Sequence, residues 1–231
     1  MPSTVMSAVV THQVLEYSVR SYQPPDKESV REICCDSGFL GNPIDPIFCD
    51  REMFAALFVD PYLDYAGDWA FVAELDGRII GYLTGAVEAR FLRQQTFGCL
   101  RATQIVVARA LRGCYRAHGR SRHFVRWLLT RAGLDRVHRP PYAPHMHFNV
   151  VKDYRGHTVG RTLWEAFEEK LIATGHNRYF GEVITSKPLL VERVYKRFNL
   201  SVYDKRRTSV FEPESPEVWS ICFFKDGSFL F

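Results

Sequence analysis

The chain has 231 residues, 46% of them hydrophobic, and a formal net charge of +4, which suits one ordinary globular domain with length enough to bury a core. No stretch approaches the roughly 20 apolar residues that cross a bilayer, and the opening MPSTVMSAVV has no basic region ahead of an apolar core, so neither a membrane span nor a secretory signal is expected. Cys34, Cys35, Cys49, Cys99, Cys114 and Cys222 include no C-x-x-C pair, which excludes the usual zinc and disulfide patterns and predicts a reduced, cytoplasmic chain.

In chain order, residues 17–22 (YSVRSY) alternate as a short strand, and PPD then supplies a proline and a capping Asp for a helix to about Cys35. A second helix is predicted from Asp50 to about Phe58, with Met53, Phe54, Leu57 and Phe58 on its core face and Asp60-Pro61 as its break. Residues 69–88 read as an antiparallel hairpin about Asp76-Gly77, a dipeptide favoured in tight turns. Gly81 and Gly85 in its second strand predict a bulge or a close backbone approach.

From Phe91 to Leu134 the apolar spacing favours helices broken near Gly113 and Gly119, and PPYAP (Pro140 to Pro144) forces extended backbone after them. A strand follows from His145 to Val151, then a glycine-bearing turn and a helix from Arg161 to Thr174. The remainder reads as a strand (Arg178 to Ile184), a helix (Pro188 to Phe198) and two strands (Ser201 to Phe211, Val218 to Phe224).

A strand feeding through a tight turn into a helix creates an anion site, because the first helical amides are unpaired and the helix dipole favours negative charge there. In YRGHTVGR, Gly156 and Gly160 remove side chains where a diphosphate would approach backbone, while Arg155 and Arg161 add cationic donors. The pattern Arg155-Gly156-His157-Thr158-Val159-Gly160 resembles the cofactor motif Q/R-x-x-G-x-G/A of the GNAT superfamily of N-acyltransferases. Thr158 stands where that family usually has the first of its two glycines. The 69–88 hairpin is similar to the family's second and third strands, and VYKRFNL to its late Y-x-K-x-G-F element. There Tyr195 takes the tyrosine position, and Asn199, well suited to a left-handed cap, replaces glycine.

The resemblance spans roughly residues 17–89 and 145–211. It implies an α/β fold: a twisted, mixed but mostly antiparallel sheet of six or seven strands flanked by helices, in one acyltransferase domain over residues 1–231 with an Arg-rich helical insertion at about 90–144. It also implies N-acetyl transfer, in which a neutral primary amine attacks the thioester of acetyl-CoA through a tetrahedral oxyanion and CoA thiolate leaves. Cofactor contacts would come from Asn149, Val150 and Val151 on the strand and from Arg155, Gly156, His157, Thr158, Val159, Gly160 and Arg161 in the turn, with a strand amide polarising the carbonyl. Tyr195 would protonate the departing sulfur. For the base, His145 and His147 share one face of a strand and titrate near neutrality, with Glu182 and Glu88 as alternatives. His145, His147 and His157 lack a fourth ligand at familiar spacing, so no metal is expected.

Between Arg90 and Arg139 stand twelve arginines, no lysine and one acid, Asp135. That block carries +11, and with the whole chain at +4 the remainder carries −7. It reads as a solvated helical insertion or as the wall of an acceptor cleft that attracts an anionic amine acceptor or the CoA 3′-phosphate. The rival reading is a lapsed enzyme, a scaffold of the same fold whose arginines bind nucleic acid or an acidic partner; against it, the block has no recognised nucleic-acid motif and few stacking aromatics. Partners are thus expected to be a small-molecule or peptide amine, with no membrane and no nucleic acid, while the acceptor's identity and the oligomeric state stay open.

Overall fold

A computed structural model describes residues 16–227; the reading of MPSTVMSAVV lies outside them. Strand β1 (Ser18–Ser21) leads to helices α1 (Lys27–Asp36), α2 (Arg51–Phe58) and α3 (Asp60–Tyr65), then to strands β2 (Ala70–Leu75) and β3 (Arg78–Ala86). Helices α4 (Ala89–Leu111) and α5 (Gly119–Thr130) intervene before β4 (His145–Val150). The chain closes with α6 (Val159–Ala173), β5 (Tyr179–Thr185), α7 (Pro188–Lys196), β6 (Ser201–Thr208) and β7 (Val218–Lys225).

The seven strands form one sheet in the order β1-β2-β3-β4-β5-β7-β6. Every neighbouring pair is antiparallel except β4 and β5, which is the mixed, mostly antiparallel α/β sheet the resemblance implies. Alternation divides the strands between two cores. Phe71, Ala73, Leu83 and Met146 pack under α6 with Leu163, Trp164 and Phe167, whereas Val72 and Tyr82 face α1, α2, α4 and α5.

The β2–β3 turn follows from its residues: Asp76 and Gly77 take φ of 48° and 75°, the double positive φ that makes Asp-Gly the favoured hairpin dipeptide. Both expectations for the glycines of β3 hold. The register shifts between Ala73 and Glu74, leaving Ile80 as the extra residue beside Gly81. A Cβ on Gly85 would lie 2.4 Å from Cε2 of Phe167, so Gly85 is what lets α6 seat on the sheet. Gly85→Ala is expected to destabilise the protein by about 1–3 kcal/mol through this overpacking, read as a lower urea midpoint at unchanged slope; an unchanged midpoint would remove the contact from the core.

The second helix ends at Phe58 as expected; after Val59 a further helix, α3, starts at Asp60, with Pro61 in its first turn, where its missing N–H costs nothing. Two expectations need correction. Phe58 is not a core residue; it is 38% exposed and rests against Phe54. Nor do the block arginines lack acids. Arg90 pairs with Glu88, Arg109 with Asp50 and Glu52, Arg120 with Glu214, Arg131 with Asp135 and Arg139 with Glu182, so acids distant in sequence offset part of the charge excess.

Candidate active site

The sheet splits where its only parallel pair diverges. β4 and β5 pair through His145 with Phe180 and Met146 with Gly181, and no further. On the other side of β4 the ladder to β3 continues, and the Val151 amide donates to the Ile80 carbonyl at 2.9 Å. Backbone groups alternate along a strand, so the amide of Asn149 also faces β3, while those of Phe148 and Val150 point into the split. Of Asn149, Val150 and Val151, Val150 alone turns its amide into the split. Its carbonyl accepts from Arg155 Nε at 2.7 Å, and Arg155 Nη1 reaches the Gly41 carbonyl at 2.5 Å. Arg155 thus ties the chain after β4 to the loop between α1 and α2, and burial lowers its pKa.

Just beyond the split, α6 begins. Its first turn is bonded from Thr162 N to the Thr158 carbonyl at 2.9 Å, and the amides of Gly156, His157, Thr158, Val159, Gly160 and Arg161 have no partner among the described residues. Gly156 has φ of 84°, and nothing lies within 4 Å of the position its Cβ would take. Thr158 has φ of −75°, in the right-handed region, so the β-branch introduces no backbone strain there. Its hydroxyl pairs with Tyr17 Oη at 2.8 Å, and the same Oη meets Thr162 Oγ1 at 2.8 Å. A Cβ on Gly160 would stand 3.2 Å from Phe148, which makes this glycine the close contact between α6 and β4. His157 and Arg161 are exposed, and Arg161 Nε bonds Glu165 at 2.7 Å.

On the α6 face, aromatic rings flank the split. Trp164 lies edge-on to Phe148 with centroids 5.7 Å apart, stacks on Phe198 at 4.8 Å and approaches Tyr195 at 5.6 Å. Tyr195 also stacks on Phe223 at 4.1 Å. Its hydroxyl has no hydrogen-bond partner among the described residues, and burial raises its pKa, so the phenol stays protonated well beyond neutrality. Asn199 follows α7 with φ of 59°, the left-handed position expected for it.

The opposite face carries the remaining candidates. Arg139 grips Glu182 with Nε at 2.9 Å and Nη2 at 2.5 Å. Burial works to raise the Glu182 carboxyl, yet the Arg139 bonds, with His145, hold it below the usual glutamate value. His145 Nδ1 meets Tyr62 Oη at 2.7 Å; its Nε2 is enclosed 3.8 Å from Glu182 and makes no hydrogen bond. Desolvation pushes this imidazole down to about 3, so it is neutral at physiological pH. His147 is half-buried, bonds Asn149 Nδ2 through Nε2 at 3.0 Å, and is lowered by burial against the pull of Glu182. The structure thus brings His145 together with Glu182 and places His147 next along the same face, while Tyr195 stands across the split. Glu88 follows β3 and is ion-paired with Arg90. A separate cleft of about 340 Å³, lined by Tyr22, Asp64, Trp69, Glu88 and Arg90, includes none of the split's residues.

Tyr62, Gln95 and Arg139 were not legible as site residues, although Gln95 Nε2 donates to Tyr62 Oη at 3.1 Å and all three enclose the His145–Glu182 pair. Their partners lie on other elements, and only the fold brings them together.

No protein-family profile matches the sequence, and no curated protein matches it. Solved structures do match. A protein titled SsHAT is 20% identical, with 92% of this chain and 99% of that one covered at a TM-score of 0.57. An N-acetyltransferase from Staphylococcus aureus is 11% identical over 91% and 98%, with a TM-score of 0.52. A GCN5-related N-acetyltransferase from Kribbella flavida is 12% identical over 90% and 96%, with a TM-score of 0.52. With the parallel β4–β5 split, the left-handed Asn199 and the open start of α6, these likenesses establish that the chain has the fold of the GNAT N-acetyltransferases.

Proposed function

We propose that the protein is an N-acetyltransferase that moves an acetyl group from acetyl-CoA to the primary amine of a small-molecule or peptide acceptor by direct attack. The observation that carries this reading is the run of six unpartnered amides from Gly156 to Arg161, which prolongs the unpaired start of a helix backwards through a glycine turn and so gathers more free donors than a helix end alone offers. A diphosphate would satisfy them and would meet the positive end of the α6 dipole. Gly156 leaves the approach open.

Acetyl-CoA would supply a thioester whose carbonyl carbon accepts the amine lone pair as the C–S bond breaks. The chain's own groups fit the proton and charge movements of that exchange. The Val150 N–H, turned into the split, supports a role as donor to the polarised carbonyl oxygen. The Tyr195 hydroxyl, unpartnered and held protonated, gives its proton to the leaving sulfur. Of the four candidate bases, His147 suits the amine proton best. His145 has its free nitrogen enclosed and its imidazole pushed down to about 3, Glu182 is committed to Arg139, and Glu88 is ion-paired with Arg90.

A thermal-shift titration with acetyl-CoA and with CoA tests the reading. Saturation about 100-fold above Kd adds about 2.7 kcal/mol of stability, which for a chain of this size raises the melting temperature by roughly 5–10 °C. No rise at millimolar ligand would sink the proposal.

A further inference from the structure

Helix α4, at 23 residues the longest among the described residues, is built upside down for a helix on a water-facing surface. Its inward face is conventional: Phe91, Ala102 and Val106 are buried, and Arg109 turns in to Asp50 and Glu52. At 100° per residue, Arg93, Phe97, Leu100, Arg101, Gln104 and Leu111 fall within a single arc of about 100° on the far side. A polar stripe belongs there. Instead Phe97 is 74% exposed, Leu100 54% and Leu111 80%. Arg93 and Arg101 are exposed beside them without an acidic partner among the described residues, and α4 contains no Asp or Glu at all.

We infer that α4 is a membrane-docking surface, whose outer face lies in the plane of an anionic lipid bilayer. Arginines interleaved with Phe and Leu on one helical stripe match that interface in both respects: the rings and aliphatic chains enter the boundary of the acyl region, and the guanidinium groups meet lipid phosphates. The charge argues against the other occupants. Two copies of this chain joined stripe to stripe would gather the unpaired Arg93 and Arg101 of both helices into one contact with no α4 acid to offset them, since a two-fold contact uses the same patch on both sides. Nucleic acid would satisfy the arginines but would press Phe97 and Leu111 against phosphates. No helix among the described residues is long and apolar enough to cross a membrane, so α4 would lie on the bilayer. The expectation of no membrane partner rested on the lack of a spanning segment, which does not bear on a helix lying flat.

The test is sedimentation of the full chain with vesicles of phosphatidylcholine alone and with about one third phosphatidylserine, the latter giving a negative surface potential. Binding is expected to the anionic vesicles and to fall steeply with salt. The double variant Arg93→Gln/Arg101→Gln should weaken partitioning by about tenfold or more, and Phe97→Ser/Leu111→Ser by a similar factor through lost apolar insertion. Melting temperatures close to that of the parent chain would show that both variants fold, and the arginine pair keeps the test alive if the apolar pair does not. Failure to bind either vesicle would overturn the inference. So would equal binding by the parent and both variants, binding to a short DNA duplex but not to vesicles, or concentration-dependent dimers by light scattering without vesicle binding.

Discussion

Asp135→Ala is expected to lower stability by on the order of 3 kcal/mol, or roughly 10 °C in melting temperature. The only acid of the arginine block is buried, and one of its oxygens accepts four hydrogen bonds: from Trp127 Nε1 at 2.9 Å, Ser209 N at 2.9 Å, Ser209 Oγ at 3.0 Å and Thr208 Oγ1 at 3.2 Å. It thereby fastens the chain after α5 to the end of β6. Alanine leaves Trp127 and Thr208, both buried, with donors and no acceptor, the costly side of hydrogen-bond deletion. Asp135→Asn keeps one oxygen at the same place and should lose about half as much. Burial works to raise the Asp135 carboxyl, but the bonds from Ser209, Trp127 and Thr208 bring it below its ordinary value. A depressed carboxylate stabilises the fold fully above its unfolded value near 3.9 and loses that contribution as pH falls through the lower folded value. The stability gap between the parent chain and Asp135→Asn should accordingly narrow below about pH 4. Denaturation curves of the three proteins settle the matter, and an alanine variant as stable as the parent would mean that the cluster fastens nothing.

Tyr195→Phe should leave the fold untouched and cut acetyl transfer on the order of a hundredfold or more. The ring carries the packing, on Phe223 and against Trp164, and phenylalanine keeps it; the hydroxyl bonds to no described residue, so its removal strands nothing. The loss should therefore fall on kcat, with KM for acetyl-CoA and the ligand-induced thermal shift preserved. Release of free CoA thiol, followed with a panel of polyamines and peptides as acceptors, reads the rate. Transfer at the parental rate would take Tyr195 out of the chemistry, and a raised KM at constant kcat would make it a binding residue.

What the sequence discloses is what depends on neighbours in the chain. The Asp76-Gly77 turn, the strand and helix around Gly156 and the left-handed Asn199 are all local, and each is found as read. Asp60-Pro61 marks the end of α2 correctly but hides the start of α3, because proline breaks a helix from within and also starts one at its first turn, and the sequence looks the same in both cases. The polar group around His145 was half visible. His145, His147 and Glu182 announce themselves by residue type and strand spacing. Tyr62 and Arg139 do not, since they lie 83 residues from His145 and 43 from Glu182 respectively and meet them only when α3 and the chain before β4 fold over the sheet. The charge imbalance misled for the same reason: Arg109 and Arg120 are neutralised by Asp50, Glu52 and Glu214.

Only two residue pairs join strands β1 to β4 with the other three, against six between β3 and β4 and seven between β5 and β7. The protein is in effect two plates meeting at a hinge, with Val150 and α6 on one and α7 with Tyr195 on the other. Side chains of α6 also bridge them: the Trp164 indole lies parallel to Phe198, the rings 8° from coplanar, and Glu168 accepts from Tyr179 Oη and Lys225 Nζ. A molecule wedged in the hinge would act as a splint, so occupancy and stiffness should rise together.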